Sequence, residues 1–224
     1  MLLSEVLKST NYDDTMFSNE AKKYIENLII TKNVRGAIVP YITCTIRSKE
    51  IKLTPEEAVR QLYIYKLLNE YNYPADRIQL ETPIHFGREI KRADITVMDK
   101  DRPMVPYIIV ELKKPKLTDG KEQLKSYCNA TGAPIGVWTN GEQISCYNRK
   151  DPNFFVEISD IPNIRQKVSD ITNENHNYDW LIKHDKLRTT RRSLRSYVQE
   201  MEDEVLASSG VDSFEEIFKL IFTK

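Results

Sequence analysis

Asp94, Glu111 and Lys113 have the types and spacing for chemistry on a phosphate ester. In a strand, side chains alternate faces, so Glu111 and Lys113 share one face about 7 Å apart. Ile108, Val110 and Leu112 share the other face, which suits a core. Asp94 opens the preceding apolar segment, RADITVM. If the two strands pair, its carboxylate approaches that of Glu111. Two such carboxylates repel unless a cation joins them, and Mg²⁺, which takes oxygen ligands and keeps several waters, is the natural one. A metal held there polarises a phosphate oxygen and acidifies a bound water. Lys113 would orient that water or stabilise charge building on the phosphorane.

The Glu-x-Lys triplet by itself decides nothing, because Glu20-Ala21-Lys22 and Glu50-Ile51-Lys52 repeat it. The copy at 111–113 differs in its context. It follows the apolar run YIIV, and an aspartate stands in the segment before it. Gln123 and Tyr127, four apart, share a helix face and could bind a phosphate or steady a water. The plainer reading leaves Gln123 solvated and packs Tyr127 beside Leu124. Glu57 has a full structural explanation as the third residue of a helix, and a functional one as a further carboxylate aimed at the metal. Arg60 and Gln61, one turn on, could reach phosphate.

These residues need elements to hold them. Residues 1–53 read as an entry segment, with a helix over AKKYIENLII presenting Tyr24, Leu28 and Ile29 on one face. GAIVPYITCTI reads as a strand, with Pro40 placing it near a sheet edge. Thr54-Pro55-Glu56-Glu57 reads as a capping box with proline in the first turn. Leu62, Tyr65, Leu68 and Tyr71 continue that helix to Asn72-Tyr73-Pro74. RIQLETPIHF, RADITVM and YIIVELKK suggest an antiparallel meander. A short helix follows at 120–131 between Gly120 and Gly132. PIGVWT and QISCYN flank Asn140-Gly141, a hairpin signal, and FFVEI is one more strand. DIPNIRQKV, then KLRTTRRSLRSYVQEMEDEVLASSG, read as helices. Ser213 and Glu216 suggest a capping box before a last helix, FEEIFKLIFTK, whose apolar, uncapped end suggests a piece of a longer protein.

The 224 residues hold 40% hydrophobic and 29% charged positions, enough apolar material for one folded core. Lysine plus arginine equals aspartate plus glutamate at 33 each. That excludes binding to nucleic acid by bulk charge, but not by a local basic groove. Three separated cysteines argue against a disulfide framework or zinc ribbon. No secretory signal or membrane-spanning run is evident, so a cytoplasmic protein is expected. Neither a phosphate-binding Gly-x-x-x-x-Gly-Lys-Ser/Thr loop, and hence no ATP site, nor a serine-hydrolase elbow is present. His85, His176 and His184 lack metal-ligand spacing, and Trp138 and Trp180 read as core.

In order, TPEEAVRQ, LNEYNYP, KRADITVM, IIVELKKP, EQLKSY and GVWTNG resemble the N-terminal nuclease domain of type I restriction enzyme R subunits, over about residues 50–148. That family belongs to the PD-(D/E)xK nucleases. The resemblance implies an α/β (α+β) restriction-endonuclease-like fold, a mixed sheet flanked by helices, with a C-terminal helical extension. It implies a nuclease core over 54–159, an N-terminal segment over 1–53 packing on it, and a helical extension or linker over 160–224. Asp94, Glu111, Lys113, Gln123, Tyr127 and Glu57 then carry the family's catalytic positions. Mg²⁺, replaceable by Mn²⁺, is held by Asp94, Glu111, the backbone carbonyl of Leu112 and, in one version, Glu57. Ala93 stands where many members have proline.

Double-stranded DNA is the implied substrate, and from their own positions Arg60, Gln61, Arg92, Lys114, Arg191, Arg192 and Arg195 are its expected contacts. Modification and specificity subunits, or fused domains, are the implied partners. SFEEIFKLIFTK is also similar to the helical entry of adenine-N6 methylases, which suggests a nuclease–methylase fusion. A second function stays open, a non-catalytic DNA-binding or assembly module on the same fold. It draws on the cluster Lys183, Lys186, Arg188, Arg191, Arg192 and Arg195, whose plainer reading is a solvated face paired with Glu200, Glu202 and Glu204.

Overall fold

The computed structural model describes residues 3–7 and 16–172. The chain divides into two compact units, 1–184 and 185–224. The expected helices over 186–210 and 213–224 lie outside the described residues. So do the basic cluster with Arg191, Arg192 and Arg195, and His176, Trp180 and His184.

In chain order, α1 (Leu3–Leu7) and α2 (Asn19–Asn27) precede a three-stranded antiparallel sheet of β1 (Ile29–Val34), β2 (Ala37–Cys44) and β3 (Lys49–Lys52). Next come α3 (Pro55–Asn69), β4 (Ile78–Phe86), β5 (Glu89–Met98) and β6 (Pro106–Leu112). The unit continues through α4 (Lys121–Thr131), β7 (Ile135–Thr139), β8 (Ile144–Lys150), β9 (Phe154–Ile158) and α5 (Val168–Thr172). Strands β4 to β9 form one six-stranded sheet in sequential order. Every pair in it is antiparallel except β6–β7, which is parallel. A parallel pair needs a crossover, and α4 supplies it. This is the mixed sheet flanked by helices that the sequence resemblance implies.

Two cores sandwich the sheet, because β6 is apolar on both faces. Ile108, Val110 and Leu112 pack with Leu62 and Leu67 of α3, while Ile109 packs with Leu124 of α4 and Trp138. Each such side chain contributes about 1.5–3 kcal/mol when fully buried. Helix α3 starts where Thr54 Oγ1 accepts from the Glu57 N–H, at 3.2 Å. Helix α4 sits close on β7 because Gly136 has no side chain; a Cβ there would lie 2.9 Å from Cys128 Sγ. Cys44, Cys128 and Cys146 are all buried and none is in a disulfide, and burial pushes the Cys128 thiol up to about 12. No helix among the described residues is long and apolar enough to cross a membrane.

Four local expectations need correction. The helix expected over AKKYIENLII, α2, ends before Ile29, whose β-branched neighbours Ile30 and Thr31 continue as β1. Its buried face is Ala21 and Ile25, with the Tyr24 ring tilted against that of Tyr65, centroids 5.0 Å apart. Pro40 lies in the central strand, not at an edge. Its carbonyl accepts from Leu53 N–H, just past the last residue of β3, so its missing N–H falls where no ladder bond is due. Residues 160–167 are not helical. The Tyr73 hydroxyl donates to the Pro162 carbonyl, and Gln166 Oε1 accepts from Asn163 N–H, so the helix begins only at Val168.

Candidate active site

Strand β6 ends at Leu112, and the next N–H, that of Lys113, continues the ladder to Thr139 O at 2.9 Å. This holds Glu111 and Lys113 on one face. Lys113 Nζ donates to Glu111 Oε1 at 2.7 Å. Asp94 does not open its strand; it lies mid-way along β5, which runs outward to Glu89 as a long hairpin with β4. Pairing of Ile95 with Val110 brings Asp94 level with Glu111. Asp94 Oδ2 accepts from the Leu112 N–H at 2.7 Å, fixing the carboxylate against the end of β6.

A buried arginine holds the other oxygen. Arg60 Nη2 donates to Asp94 Oδ1 at 2.7 Å and stands 3.2 Å from Glu81 Oε1 and 3.7 Å from Glu56 Oε1. Its Nη1 donates to Glu57 Oε2 at 2.7 Å. One guanidinium therefore serves four carboxylates. The planar fork of arginine, with five N–H donors, allows this where a lysine would not. Glu81 lies opposite Asp94 with φ 55, a left-handed conformation costing a non-glycine residue about 1–2 kcal/mol. The hairpin changes faces there. Leu80 and Ile95 pack on the α3 side, whereas Ile84 and Ala93 pack on the α4 side.

These contacts bear on three of the expected site residues. Glu57 caps with its backbone, but its carboxylate is spent on Arg60 and on Gln61 Nε2, at 2.8 Å. Both Glu57 oxygens are engaged, as both Asp94 oxygens are, and Glu57 buttresses Arg60. Arg60 and Gln61 are buried at 7% and 1% exposure and face carboxylates, not an open phosphate path. Arg92 and Lys114 are both exposed, as DNA contacts require.

The electrostatics follow from burial. Burial is the main cause that pushes Glu111 up to about 7; the Lys113 hydrogen bond lowers it, and the charges of Asp94 and Glu56 raise it. Glu111 Oε2 is buried without a hydrogen-bond partner. Burial disfavours the Lys113 ammonium, but the Glu111 bond and the charges of Glu111, Asp94 and Asp119 outweigh it and leave its pKa raised. Burial and then Asp94 raise Glu56. Gln123 Nε2 donates to the Tyr127 hydroxyl at 2.5 Å. Burial raises that phenol, and the charges of Glu111 and Asp94 raise it further. The pair thus stands within electrostatic reach of both carboxylates.

Sequence reasoning missed Glu56, Glu81 and Gly120. Glu81 carries no spacing signal, because only the β4–β5 register brings it to Asp94. Gly120 has φ +97, and a Cβ there would lie 2.5 Å from Lys113 Cε. The loop between them is pinned by Trp138 Nε1 donating to Asp119 O at 2.7 Å and Asn140 Nδ2 to Leu117 O at 2.8 Å.

The donors fit a hard divalent cation, being two carboxylates and a backbone carbonyl, with Glu111 Oε2 buried and unpartnered. Among the described residues no group of three or more His, Cys, Asp or Glu is arranged to hold a metal ion.

None of the curated proteins compared with this chain matches it. A crystal structure of a candidate nuclease belonging to DUF820, from Anabaena variabilis ATCC 29413, is similar over 67% of this chain and 90% of its own, with 16% sequence identity and a TM-score of 0.35. A family model described as the type I restriction enzyme R protein N terminus matches residues 55–162, just under half of the chain, and this span contains Asp94, Glu111, Lys113, Gln123 and Tyr127. Residues 55–162 are thus similar to the N terminus of type I restriction enzyme R proteins.

Proposed function

We propose that this domain is a metal-dependent endonuclease that hydrolyses phosphodiester bonds of double-stranded DNA in a restriction–modification system. The observation that carries the reading is the meeting of Asp94, Glu111 and Lys113 at the end of β6, with Glu111 Oε2 left buried and unpartnered. A buried polar atom without a partner costs about 1–3 kcal/mol, a cost that a ligand can relieve.

Mg²⁺, or Mn²⁺ in its place, held by Asp94, Glu111 and the Leu112 carbonyl would supply Lewis acidity toward a phosphate oxygen and a more acidic water. The chain's own residues do the rest. Asp94 is fixed by the Leu112 N–H, so its position needs no reorganisation. Lys113, its pKa raised and its ammonium hydrogen-bonded to Glu111, would orient the attacking water and stabilise charge on the phosphate. Gln123 and Tyr127 are hydrogen-bonded to each other, and the Tyr127 phenol feels the charges of Glu111 and Asp94. Modification or specificity subunits, or fused domains, would choose the DNA site.

One observation favours the competing reading, a non-catalytic DNA-binding module: Arg60 already neutralises Asp94. Calorimetric titration of Mg²⁺ and Mn²⁺ separates the two. Binding by wild type and its loss in the double variant Asp94→Ala, Glu111→Ala is expected. No binding by wild type, with or without a short duplex, would refute the nuclease reading.

Gly120 gives a second expectation. In Gly120→Ala the new methyl must push the Lys113 side chain aside, and φ +97 adds strain. Stability should fall by about 1–2 kcal/mol. Metal-dependent nicking should fall far more, by roughly 10²-fold, as a displacement of about 1 Å implies. Melting curves beside plasmid nicking rates check this. Equal, small losses in both would show that Lys113 placement is unimportant.

A further inference from the structure

Residues 85–92, His-Phe-Gly-Arg-Glu-Ile-Lys-Arg, hold three cations, Arg88, Lys91 and Arg92, against one carboxylate, Glu89. They form the outer end of the β4–β5 hairpin, which keeps its register from Thr82↔Ala93 out to Phe86↔Glu89. Strand β6 pairs with β5 only from Ile95 inward. The hairpin therefore overhangs its neighbour as a two-stranded finger that starts at Asp94.

The two faces of the finger differ. One packs on α4: Ile84 and Ala93 are buried, and the Phe86 ring lies 6.0 Å from that of Tyr127. Lys91 stands over the Phe86 ring on that side. The alternate residues, Pro83, His85, Ile90 and Arg92, are all exposed, Ile90 at 57%. Register sets Arg92 opposite Pro83 and Ile90 opposite His85. Packing on α4 stiffens the finger without using this second face. Among the described residues Arg88 and Arg92 have no ion-pair or hydrogen-bond partner, so neither cation has an internal role.

Spacing ties the finger to the site. At about 3.4 Å per residue, Arg92 is roughly 7 Å along the strand from Asp94, and Ile90 roughly 14 Å. One DNA strand carries a charge about every 3.4 Å of helix axis. A backbone with one phosphate at Asp94 and Glu111 would pass the next few along this strip.

We propose that the β4–β5 finger is the arm that tracks duplex DNA beside the site, with Arg92 and Arg88 neutralising phosphates flanking the one to be cut and Ile90 lying between them against the groove. This rests on the nuclease reading and names the element that seats its substrate. A chain with no net charge needs such a local concentration of cations to hold DNA near four carboxylates.

The test is anisotropy of a labelled 30-base-pair duplex, measured with Ca²⁺ in place of Mg²⁺ over a salt series. It compares wild type with Arg88→Gln, Arg92→Gln and with a control lacking two distant exposed lysines, Lys100→Gln, Lys150→Gln. Each lost phosphate contact lowers the slope of log K against log salt by about 0.9, so the finger variant should lose about two units of slope and roughly tenfold or more in affinity. Its melting temperature should stay that of wild type, because both arginines are exposed. A finger variant no different from the control overturns the arm while leaving the nuclease reading intact. A wild type that binds no duplex at any salt overturns both.

Discussion

Lys113→Ala is expected to reduce metal-dependent DNA cleavage by at least roughly 10²–10³-fold, the usual loss when one preorganised donor is removed from a developing charge. Two effects add. The ammonium that would face the phosphate is gone. Glu111, already pushed up to about 7, also loses the one hydrogen bond that holds its carboxylate charged, so more of it is protonated at neutral pH. The fold should survive, because Lys113 lies at the end of β6 and its backbone N–H still reaches Thr139 O. Plasmid nicking with Mg²⁺, alongside near-ultraviolet circular dichroism, measures both. Cleavage at the wild-type rate by a folded Lys113→Ala protein would end the proposed mechanism.

The second large effect is on stability. Arg60→Met removes the one cation shared by Glu57, Asp94, Glu81 and Glu56, while Glu57 stays 5% exposed. Breaking a buried pair from one side costs about 3–5 kcal/mol. For a domain of this size the melting temperature should fall on the order of 10 °C. Adding Glu57→Gln to Arg60→Met removes the stranded charge and should recover part of the loss. A double variant that melts no higher than Arg60→Met would mean that Glu57 is not what Arg60 compensates. Arg60→Lys should rescue poorly, since a single ammonium cannot reach both Glu57 and Asp94 as the fork does.

How legible each part was depends on the range of the interaction behind it. Glu111 and Lys113 could be placed together because strand alternation is local, and the Ile-Val-Leu face of β6 told which side they leave. Gly120 and Gly132, both left-handed, bracket α4 as read. The Asn140-Gly141 turn was equally plain. The four-carboxylate arginine was not legible, because it needs α3 docked across β4 and β5. Glu81 faces Arg60 only through a register that no short motif encodes. Pro40 misled for a related reason: whether a proline tolerates a central strand depends on where its neighbour stops. Residues 160–167 looked helical from their apolar spacing, but they are held by Tyr73, which is distant in sequence.

Gly120 gives the site a way to fail that leaves every reactive side chain in place. Depending on the codon used, one base change turns glycine into alanine, valine, arginine, serine, cysteine, aspartate, glutamate or tryptophan. Each of these carries a Cβ that must land where Lys113 Cε now lies. On the proposed function, a cell under pressure to silence a harmful nuclease gene therefore has a further target at codon 120, beside the codons for Asp94, Glu111 and Lys113. Copies disarmed in this way would still display the full acidic pair and its lysine. When working genes are sorted from decayed ones, residue 120 should be read beside the reactive three.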